Sequence, residues 1–516
     1  KKLDFFVKLF GKSWHTYCSN FWITENNSKK LGIRFVIMYL NPTSHFQNTL
    51  EIIQRLFNLS QEYKKIGLVH KSCISLIKAI RINKNITNLY INLASNLEVM
   101  DKNNFAMAVI NQGLKIDSKN ILLLNNKANL YEKQGHINLS IAIFKKIIQI
   151  EPKYFVALFN LGRIYRNLGK FEKSSKYFEK ARKQNPNNLK FLFESYRMNK
   201  NKVKVEKLNK IIKLEPSAEN SIYYYFLKGK IEYENKNFEE EIKNLKIAHD
   251  LYFKLNTYFS DFNLAYEKKI ANIKKSTEHI SESKLSKKIH PIFIVGLPRS
   301  GSTLIEKIIC SSESEVQSLE ETQIFFNKLR KIDIKNKKIK SIDEILHIYK
   351  KLKNVNFEYR FTDKSLENFE FINLIKRCLP NAKIINCIRD PRESIISILK
   401  NNLISVPWAH RMQDILKYFD RYYKIMNKFK FENQNFIYNL KFAELLKNPK
   451  IVTKSIFDFC GIKWTESCLN FYKNKIYTQT TNNEQLREPI NINNFLKYKN
   501  YDFVFQKINK EYSWLK

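Results

Sequence analysis

The chain has few of the residues that break or crosslink a fold, and few acidic residues for its size. Among 516 residues there are 11 glycines, 11 prolines and 7 cysteines, and 49 acidic residues stand against 90 basic ones. No two cysteines form a Cys-x-x-Cys pair, so the sequence indicates neither a disulfide framework nor a metal site, and a cytoplasmic, reducing location is expected. No run reaches the roughly 18 to 20 apolar residues of a membrane span, so no transmembrane segment is expected.

The net charge of +41 first suggests a nucleic-acid-binding protein. The excess is mostly lysine, however, and it is spread along the whole chain together with abundant asparagine and isoleucine. No zinc spacing or RNA-binding aromatic motif accompanies it. We therefore expect no nucleic-acid partner, and the length allows about two to four domains.

Residues from about 50 to 255 repeat with a period of 34 residues. Residues of similar character recur at three positions of the repeat. They are a turn position (Gly67, Asp101, Gly135, Gly169), a tyrosine or leucine position (Tyr63, Leu97, Tyr131, Tyr165) and a position for small residues (Ser60, Ala94, Ala128, Gly162). The register slips after Pro186, and a shortened unit ends at Pro216 before a further unit follows. The pattern resembles the tetratricopeptide repeat, which implies an α-solenoid that binds a peptide or partner protein.

The sequence pattern divides the chain into four segments. Residues 1–49 stay unassigned, residues 50–255 form the predicted array, and residues 256–288 are predicted as a helical linker. From residue 289 to residue 516, apolar strands alternate with amphipathic helices, which predicts an α/β domain with a mainly parallel sheet. No strand in it ends on an aspartate of Walker B type, so no Mg²⁺ site is expected.

A phosphate-binding loop is predicted in the segment PIFIVGLPRSGSTLIEKII, residues 291–309. It indicates a buried strand, a glycine-bearing loop and a helix that begins near Ser302, where backbone N–H groups converge on an anion. Gly296 and Gly301 have P-loop spacing, but Ser302 stands where a Walker A loop carries its lysine. With Arg299 inside the loop, this argues against ATP or GTP and favours a ligand with a single 5′ phosphate and a further group attached.

A second motif follows in IINCIRDPRESIIS, residues 384–397. Arg389 ends an apolar strand and Ser397 lies about two turns into the next helix, so both are expected to meet a second phosphate at the carboxyl edge of the sheet. The two motifs in this order resemble the 5′- and 3′-phosphate-binding motifs of sulfotransferases that use 3′-phosphoadenosine 5′-phosphosulfate (PAPS). The resemblance implies PAPS as co-substrate, with no metal.

The resemblance also implies which residues hold the donor. The 5′ phosphate would receive backbone and hydroxyl donors from Ser300, Gly301, Ser302 and Thr303, next to Arg299. The 3′ phosphate would be selected by Arg389 and Ser397, with Arg392 as a further candidate. Arg487 lies in TTNNEQLREPIN, which resembles a nucleotide-covering loop of the family, and is a candidate for the 3′ phosphate or the adenine edge.

Sulfuryl transfer needs a base for the acceptor hydroxyl and cations for the departing phosphate. The stretch SLEETQ places Glu320 and Glu321 where tyrosylprotein sulfotransferases, and related bacterial proteins with tetratricopeptide repeats, carry a catalytic glutamate. Glu321 is the better match, and Glu320 remains an alternative. Arg299 and Lys364, the latter in an Asp-Lys-x-x-x-Asn stretch like that of the family, are predicted to stabilise the departing phosphate.

The sequence leaves some alternatives open. Phe442 and Asn482 replace the tyrosine and serine of the family pattern, so a repeat scaffold with a nucleotide-binding but inactive domain stays possible, and a P-loop kinase is a second alternative. The acceptor is a protein tyrosine, a carbohydrate or a small hydroxylated molecule. A homodimer is compatible with the sequence.

Overall fold

The computed structural model describes residues 42–100, 102–199, 204–311, 316–325, 341–353, 355–404, 406–429, 435–473, 487–490, 497–506 and 508–515. These residues divide into two compact units, one that ends at Ala157 and one that begins at Leu158. Helices and strands are numbered below in chain order within these ranges. None of the helices there is both long and apolar enough to cross a membrane.

The first unit consists of helices that pack in consecutive pairs. These are α1 (Pro42–Lys65), α2 (Val69–Ile82), α3 (Thr87–Val99), α4 (Asn103–Ile116), α5 (Ile121–Lys133), α6 (Ile137–Ile150) and the start of α7 (Phe155–Asn167). The buried faces of α1 to α5 share one apolar core that includes Leu76, Leu93, Leu97 and Ile110. The small register lies at the closest approaches, where Ser60, Ala94 and Ala128 are fully buried. The predicted helical repeat array is confirmed.

The glycine register has a backbone cause. Gly67, Gly135 and Gly169 have φ values of +77°, +84° and +71°, in the left-handed region that ends many helices. In each turn the N–H after the glycine donates to a carbonyl five residues back, at 2.8 Å, and those acceptors are the carbonyls of Tyr63, Tyr131 and Tyr165. Asp101, the one member of this register that is not a glycine, lies outside the described residues.

The second unit contains the later repeats and the C-terminal domain. Its repeat helices are the rest of α7, α8 (Phe171–Gln184), α9 (Leu189–Asn199), α10 (Val205–Leu214), α11 (Ala218–Glu234) and α12 (Phe238–Leu255), followed by α13 (Tyr258–Ser276). The short α9 and α10 match the predicted shortened unit. The predicted linker contains α13, and the predicted boundaries at residues 255 and 289 stay predictions.

A five-stranded sheet forms the centre of the C-terminal domain. The strands are β1 (Pro291–Gly296), β2 (Val316–Ser318), β3 (Arg360–Asp363), β4 (Lys383–Ile388) and β5 (Ile437–Lys441), in the order β2-β3-β1-β4-β5. Every neighbouring pair is parallel. Side chains alternate along β1, so Ile292 and Ile294 enter one apolar core while Phe293 and Val295 enter another. The predicted mainly parallel sheet is confirmed.

Helices connect and cover the strands. They are α14 (Ser302–Cys310), α15 (Asp343–Lys353), α16 (Ile372–Cys378), α17 (Pro391–Leu399), α18 (Met412–Lys428), α19 (Phe442–Lys447), α20 (Pro449–Cys460) and α21 (Asp502–Phe505). One of the two sheet cores continues into the repeat helices α9, α11 and α12 without a break. Contacts between His249 and His410, whose Nδ1 atoms lie 2.9 Å apart, and between Asn263 and Asp414 lie at this junction. The later repeats are therefore part of the same folded body as the sheet.

A buried carboxylate joins the last repeat to the C-terminal segment. Glu241, on α12, is only 2% exposed. Its Oε2 accepts a hydrogen bond from the Tyr501 hydroxyl at 2.6 Å, and its Oε1 lies 3.2 Å from Lys400 Nζ. Lys400 Nζ also donates to the Tyr501 hydroxyl at 2.6 Å. Burial raises the pKa of Glu241, while Lys400 and Tyr501 act in the opposite direction.

Replacing Glu241 by alanine is expected to lower the free energy of unfolding by about 3 kcal/mol, because Lys400 and Tyr501 lose the buried acceptor that they share. Chemical denaturation measures this change. Glu239→Ala is the control, since Glu239 is an exposed carboxylate in the first turn of the same helix and its loss should cost about 0.5 kcal/mol. Equal losses in the two variants would contradict the role of Glu241.

Candidate active site

The loop between β1 and α14 has the backbone shape of a phosphate cradle. Gly296 and Gly301 have φ values of +148° and +94°, which favour glycine. A Cβ on Gly296 would lie 2.6 Å from the carbonyl oxygen of Cys387, and a Cβ on Gly301 would lie 2.4 Å from the ring of Phe442. The glycine spacing seen in the sequence therefore has a steric cause at both positions.

The hydroxyl of Ser300 lies buried in this loop without a partner. Ser300 is 1% exposed, and its Oγ forms no hydrogen bond with any residue that the structure describes. Ser302 and Thr303 form the first turn of α14, where backbone N–H groups have no acceptor within the helix. A buried hydroxyl without a partner is costly. The loop thus presents donors that an anion would satisfy.

The two predicted phosphate motifs touch each other. Arg299 Nε donates to Ser397 Oγ at 2.9 Å, and Arg389 Nη1 donates to the carbonyl oxygen of Arg299 at 2.8 Å. Arg389 Nε donates to Glu393, which is 6% exposed. Arg299 itself has a φ of +72°, a strained value that functional loops often hold. The side chain predicted to face the 5′ group thus reaches the second motif in this structure.

Positive charge is concentrated at this junction. Burial, then Arg389 and then Arg197 lower the pKa of Arg299 to about 10. Arg197 lies on the repeat helix α9. The Arg389 guanidinium also lies over the Phe442 ring, 5.1 Å from its centroid. Cations this close repel each other, so an anion between them is favoured.

The Arg392 guanidinium is hydrogen-bonded to neighbouring side chains. Its Nε and Nη2 donate to the two carboxylate oxygens of Asp390, at 3.0 and 2.7 Å, and Nη2 also donates to the Tyr498 hydroxyl at 3.0 Å. Asp390 caps α17 by accepting from the backbone N–H of Arg392 at 2.9 Å. The structure thus gives Arg392 a role at the start of α17, and its help at the second phosphate stays a prediction.

Lys364 and Glu321 are paired. Lys364 is 2% exposed and follows β3, and its Nζ donates to Glu321 Oε1 at 2.9 Å. The same Nζ lies 4.0 Å from Glu306 Oε2. Burial alone would lower the pKa of Lys364, but Glu321 and Glu306 outweigh it and raise that pKa. The structure thus brings together the cation and the base that the sequence predicts.

Asp363 fixes the backbone that carries this lysine. It is fully buried, and its Oδ1 accepts from the N–H of Ser365 at 2.8 Å. Its Oδ2 accepts from the hydroxyls of Tyr349 and Thr322, at 2.5 and 2.6 Å. Because Thr322 directly follows Glu321, one carboxylate holds both sides of the Lys364–Glu321 pair in place.

Glu306 is a site residue that the sequence did not reveal. It lies on α14 and is 3% exposed, and its Oε1 accepts from the Glu320 N–H at 3.1 Å and from Thr362 Oγ1 at 2.8 Å. Glu320 has a φ of +57°, and its carbonyl oxygen accepts from the Lys364 N–H at 3.0 Å. Glu306 is the single acidic residue in the helix segment STLIEKII, and this was the feature of the sequence that could have revealed it. Within the described ranges, no cluster of three or more histidine, cysteine or acidic side chains could hold a metal ion.

Arg487 contacts the repeats. Its Nη2 donates to the carbonyl oxygen of Asn167 at 3.3 Å, and a Cβ on Gly169 would lie 2.8 Å from its Nε. Arg487 therefore packs against the turn between α7 and α8. Asn482 and Gln485, which precede it in the predicted nucleotide-covering loop, lie outside the described residues. The assignment of Arg487 to the nucleotide stays a prediction.

The family models agree with both parts of the chain. The model of the sulfotransferase family matches residues 291–466. Two models of the tetratricopeptide repeat match residues 122–154 and 155–188. The first match contains both phosphate motifs, Glu321 and Lys364.

Each of the following similar proteins matches less than half of this chain. An uncharacterized protein of Aquifex aeolicus (strain VF5) is 27% identical over 242 residues, which are 41% of this chain and 31% of that protein. The chain thus spans less than a third of that relative. The sulfotransferase domain from the Synechococcus PCC 7002 olefin synthase has 17% identity over 42% of this chain and 86% of that one, with a TM-score of 0.30. Pseudomonas aeruginosa pilF has 17% identity over 38% and 90%, with a TM-score of 0.32. By its family matches, this chain combines tetratricopeptide repeats with a domain of the sulfotransferase family.

Proposed function

We propose that the chain transfers the sulfuryl group of PAPS to a hydroxyl group of an acceptor. The observation that carries the proposal is the direct contact between the two phosphate motifs, in which Arg299 Nε reaches Ser397 and Arg389 reaches the Arg299 carbonyl. Two phosphate-binding groups joined in this way suit a ligand with phosphates at both ends of one nucleoside. A triphosphate would instead need the lysine that Ser302 replaces.

The residues present fit this donor. The unpartnered Ser300 hydroxyl and the first turn of α14, with Gly301, Ser302 and Thr303, hold the 5′ phosphate. Arg389 and Ser397 hold the 3′ phosphate with charge-assisted and hydroxyl hydrogen bonds. When bound, PAPS supplies an activated sulfuryl group whose leaving group is the 5′ phosphate.

Glu321 and Lys364 carry the transfer. Glu321 accepts the proton of the acceptor hydroxyl while the acceptor oxygen forms its bond to sulfur. Lys364 has three N–H donors and uses one for Glu321, so others remain for the bridging oxygen as the sulfur–oxygen bond breaks. Arg299 adds its charge from the loop. The products are the sulfated acceptor, adenosine 3′,5′-bisphosphate and a proton on Glu321.

The repeat array recruits the acceptor or a partner protein, as helical solenoids commonly do. Its later helices belong to the same compact unit as the candidate catalytic residues, so a bound partner would be held on the same folded body as the site. The acceptor is a protein tyrosine, a carbohydrate or a small hydroxylated molecule. We place the protein in the cytoplasm, and the six described cysteines, all free, support that placement.

Arg389→Ala is expected to weaken the binding of adenosine 3′,5′-bisphosphate about 10- to 100-fold, because a hydrogen bond from a charged group contributes about 1.5 to 3 kcal/mol. Calorimetric titration measures the Kd. Arg411→Ala is the control, since Arg411 pairs with Asp414 and lies over Phe253. Undiminished affinity in Arg389→Ala would contradict the assignment. A preference for ATP with Mg²⁺ would point to a P-loop kinase.

Glu321→Gln is expected to lower kcat about 100- to 10,000-fold while the affinity for the bisphosphate stays the same, because the amide cannot take the proton. Release of the bisphosphate from PAPS is measured with whichever acceptor supports turnover in a screen of phenols, sugars and tyrosine peptides. Glu320→Gln is the matched variant and should retain most activity. A larger loss in Glu320→Gln would make Glu320 the base. Bisphosphate binding without turnover of any acceptor would support the inactive scaffold.

A further inference from the structure

A cavity of about 250 Å³ lies at the amino edge of the sheet, opposite the edge that carries the candidate active site. Its walls come from the starts of β1, β3 and β4 and from the end of α20, and they include His290, Arg360, Lys383, Phe459 and Gly461. Small-molecule pockets begin at about 300 Å³, so this cavity suits a ligand of few atoms. The sulfuryl transfer proposed above makes no use of it.

A basic residue stands at the amino end of three adjacent strands. β3 begins at Arg360, β4 begins at Lys383, and His290 directly precedes β1, which lies between those two strands. The strands are parallel, and Lys383 is the register partner of Ile292, the second residue of β1. The topology thus collects two cations and an imidazole in one cavity, from residues that are far apart in the chain.

The Arg360 guanidinium has space beside it for a ligand. Its Nη2 would lie 3.2 Å from a Cβ on Gly461, so the missing side chain at the end of α20 keeps this part of the wall open. No hydrogen bond or ion pair joins Arg360 to another residue in the part of the chain that the structure describes. Its guanidinium N–H groups therefore remain available for a planar pair of oxygen acceptors.

Lys383 is fixed against the cavity wall. Its Nζ donates to the carbonyl oxygen of Asn435 at 2.7 Å and lies 4.8 Å from the centroid of the Phe459 ring. An ammonium has three N–H donors, so this contact leaves two for a ligand. Burial raises the pKa of the Cys460 thiol in the same wall to about 12, and Lys383 and Arg360 both act in the opposite direction. Both cations thus lie close to one wall of the cavity.

The charges of the lining residues favour an anion. Arg360 and Lys383 supply two positive charges, and Asp458 supplies one negative charge from an exposed position, where water screens it. Burial and then Arg360 lower the pKa of His290, so its imidazole is neutral at pH 7 and still offers one N–H donor. The cavity therefore carries a net positive charge and several hydrogen-bond donors.

We propose that this cavity binds a small molecule that carries a phosphate group, with the phosphate between Arg360 and Lys383. A phosphomonoester has a charge of about −1.5 to −2 at pH 7, which matches the two cations, whereas a carboxylate matches only one. Arg360 binds two phosphate oxygens through parallel N–H groups, and Lys383 binds as a point charge. The site is separate from the proposed donor site, which lies at the carboxyl edge of the sheet.

The position of a bound anion tests this proposal directly. Crystals of the full chain with adenosine 3′,5′-bisphosphate are soaked in arsenate, a phosphate analogue whose arsenic gives an anomalous signal. We expect a peak about 3 to 4 Å from both Lys383 Nζ and a guanidinium nitrogen of Arg360. Arsenate only in the loop between β1 and α14, or no arsenate in the cavity, would overturn the proposal.

Binding in solution is measured by calorimetric titration of glycerol 1-phosphate into the full chain saturated with the bisphosphate. Arg360→Met and Lys383→Met should each weaken binding at least about 10-fold, because each removes a charged donor. Lys463→Met is the matched control, since Lys463 is an exposed lysine two residues after Gly461 and does not line the cavity. Equal affinity in the wild type and both variants, or acetate that binds as tightly as the phosphate, would overturn the proposal. Binding of inorganic phosphate without binding of the ester would also overturn it.

The melting temperature separates ligand binding from a structural role of Arg360. A cation near the end of α20 would stabilise that helix terminus without any ligand. We expect glycerol 1-phosphate to raise the melting temperature of the wild type and of Lys463→Met, and to leave Arg360→Met and Lys383→Met unchanged. The same increase in all four proteins would overturn the proposal.

The bisphosphate distinguishes this site from the proposed function. Arg360→Met and Lys383→Met should bind it as the wild type does, because both residues lie at the opposite edge of the sheet. A loss of bisphosphate affinity in these variants would overturn the separation of the two sites. A wild type that takes arsenate into the cavity but binds no bisphosphate would contradict the proposed function and support this inference.

Discussion

The parallel pairing of β1 with β4 is the constraint on which the candidate site depends. Its register sets Gly296 opposite Cys387, so both strands deliver their following loops to one edge of the sheet. The absence of a side chain at Gly296 lets the loop pass the Cys387 carbonyl, where a Cβ would come within 2.6 Å. Because the loops begin side by side, the Arg299 carbonyl meets the Arg389 guanidinium. A shifted register would separate the two motifs, although each sequence would be unchanged.

The candidate site concentrates positive charge in a small buried volume. Arg389 pairs with Glu393, and Lys364 pairs with Glu321. Burial and the neighbouring Arg389 lower the pKa of Arg299. Such a cluster is expensive in a folded protein unless anions neutralise it. In the proposed function, these same cations bind the two phosphates of the donor, so the geometry that costs stability would be offset when the donor binds.

The later repeats are built into the catalytic body. The apolar core runs from α9 and α11 to the sheet, and Glu241 is shared by Lys400 and Tyr501 through buried polar contacts. Arg487 packs on the turn at Gly169, so a glycine that the repeat pattern requires for its backbone also makes space for the Arg487 side chain. A solenoid joined in this way can position an acceptor, whereas one tethered by a mobile linker can only raise its local concentration.

The repeat period, the left-handed glycines that end the helices, the glycine-bearing loop and the parallel sheet could all be predicted from the sequence. These follow from local rules, since backbone sterics and the alternation of apolar residues are written within one turn or one strand. The tertiary structure was needed to show that Arg299 reaches Ser397, that Arg392 is engaged by Asp390 and Tyr498, and that Glu306 lies beside Lys364. Most of these contacts join residues far apart in the chain, or depend on which helix face meets the sheet. A single acidic residue in an apolar helix looks the same in the sequence whether it faces solvent or a buried lysine, because packing alone sets its environment.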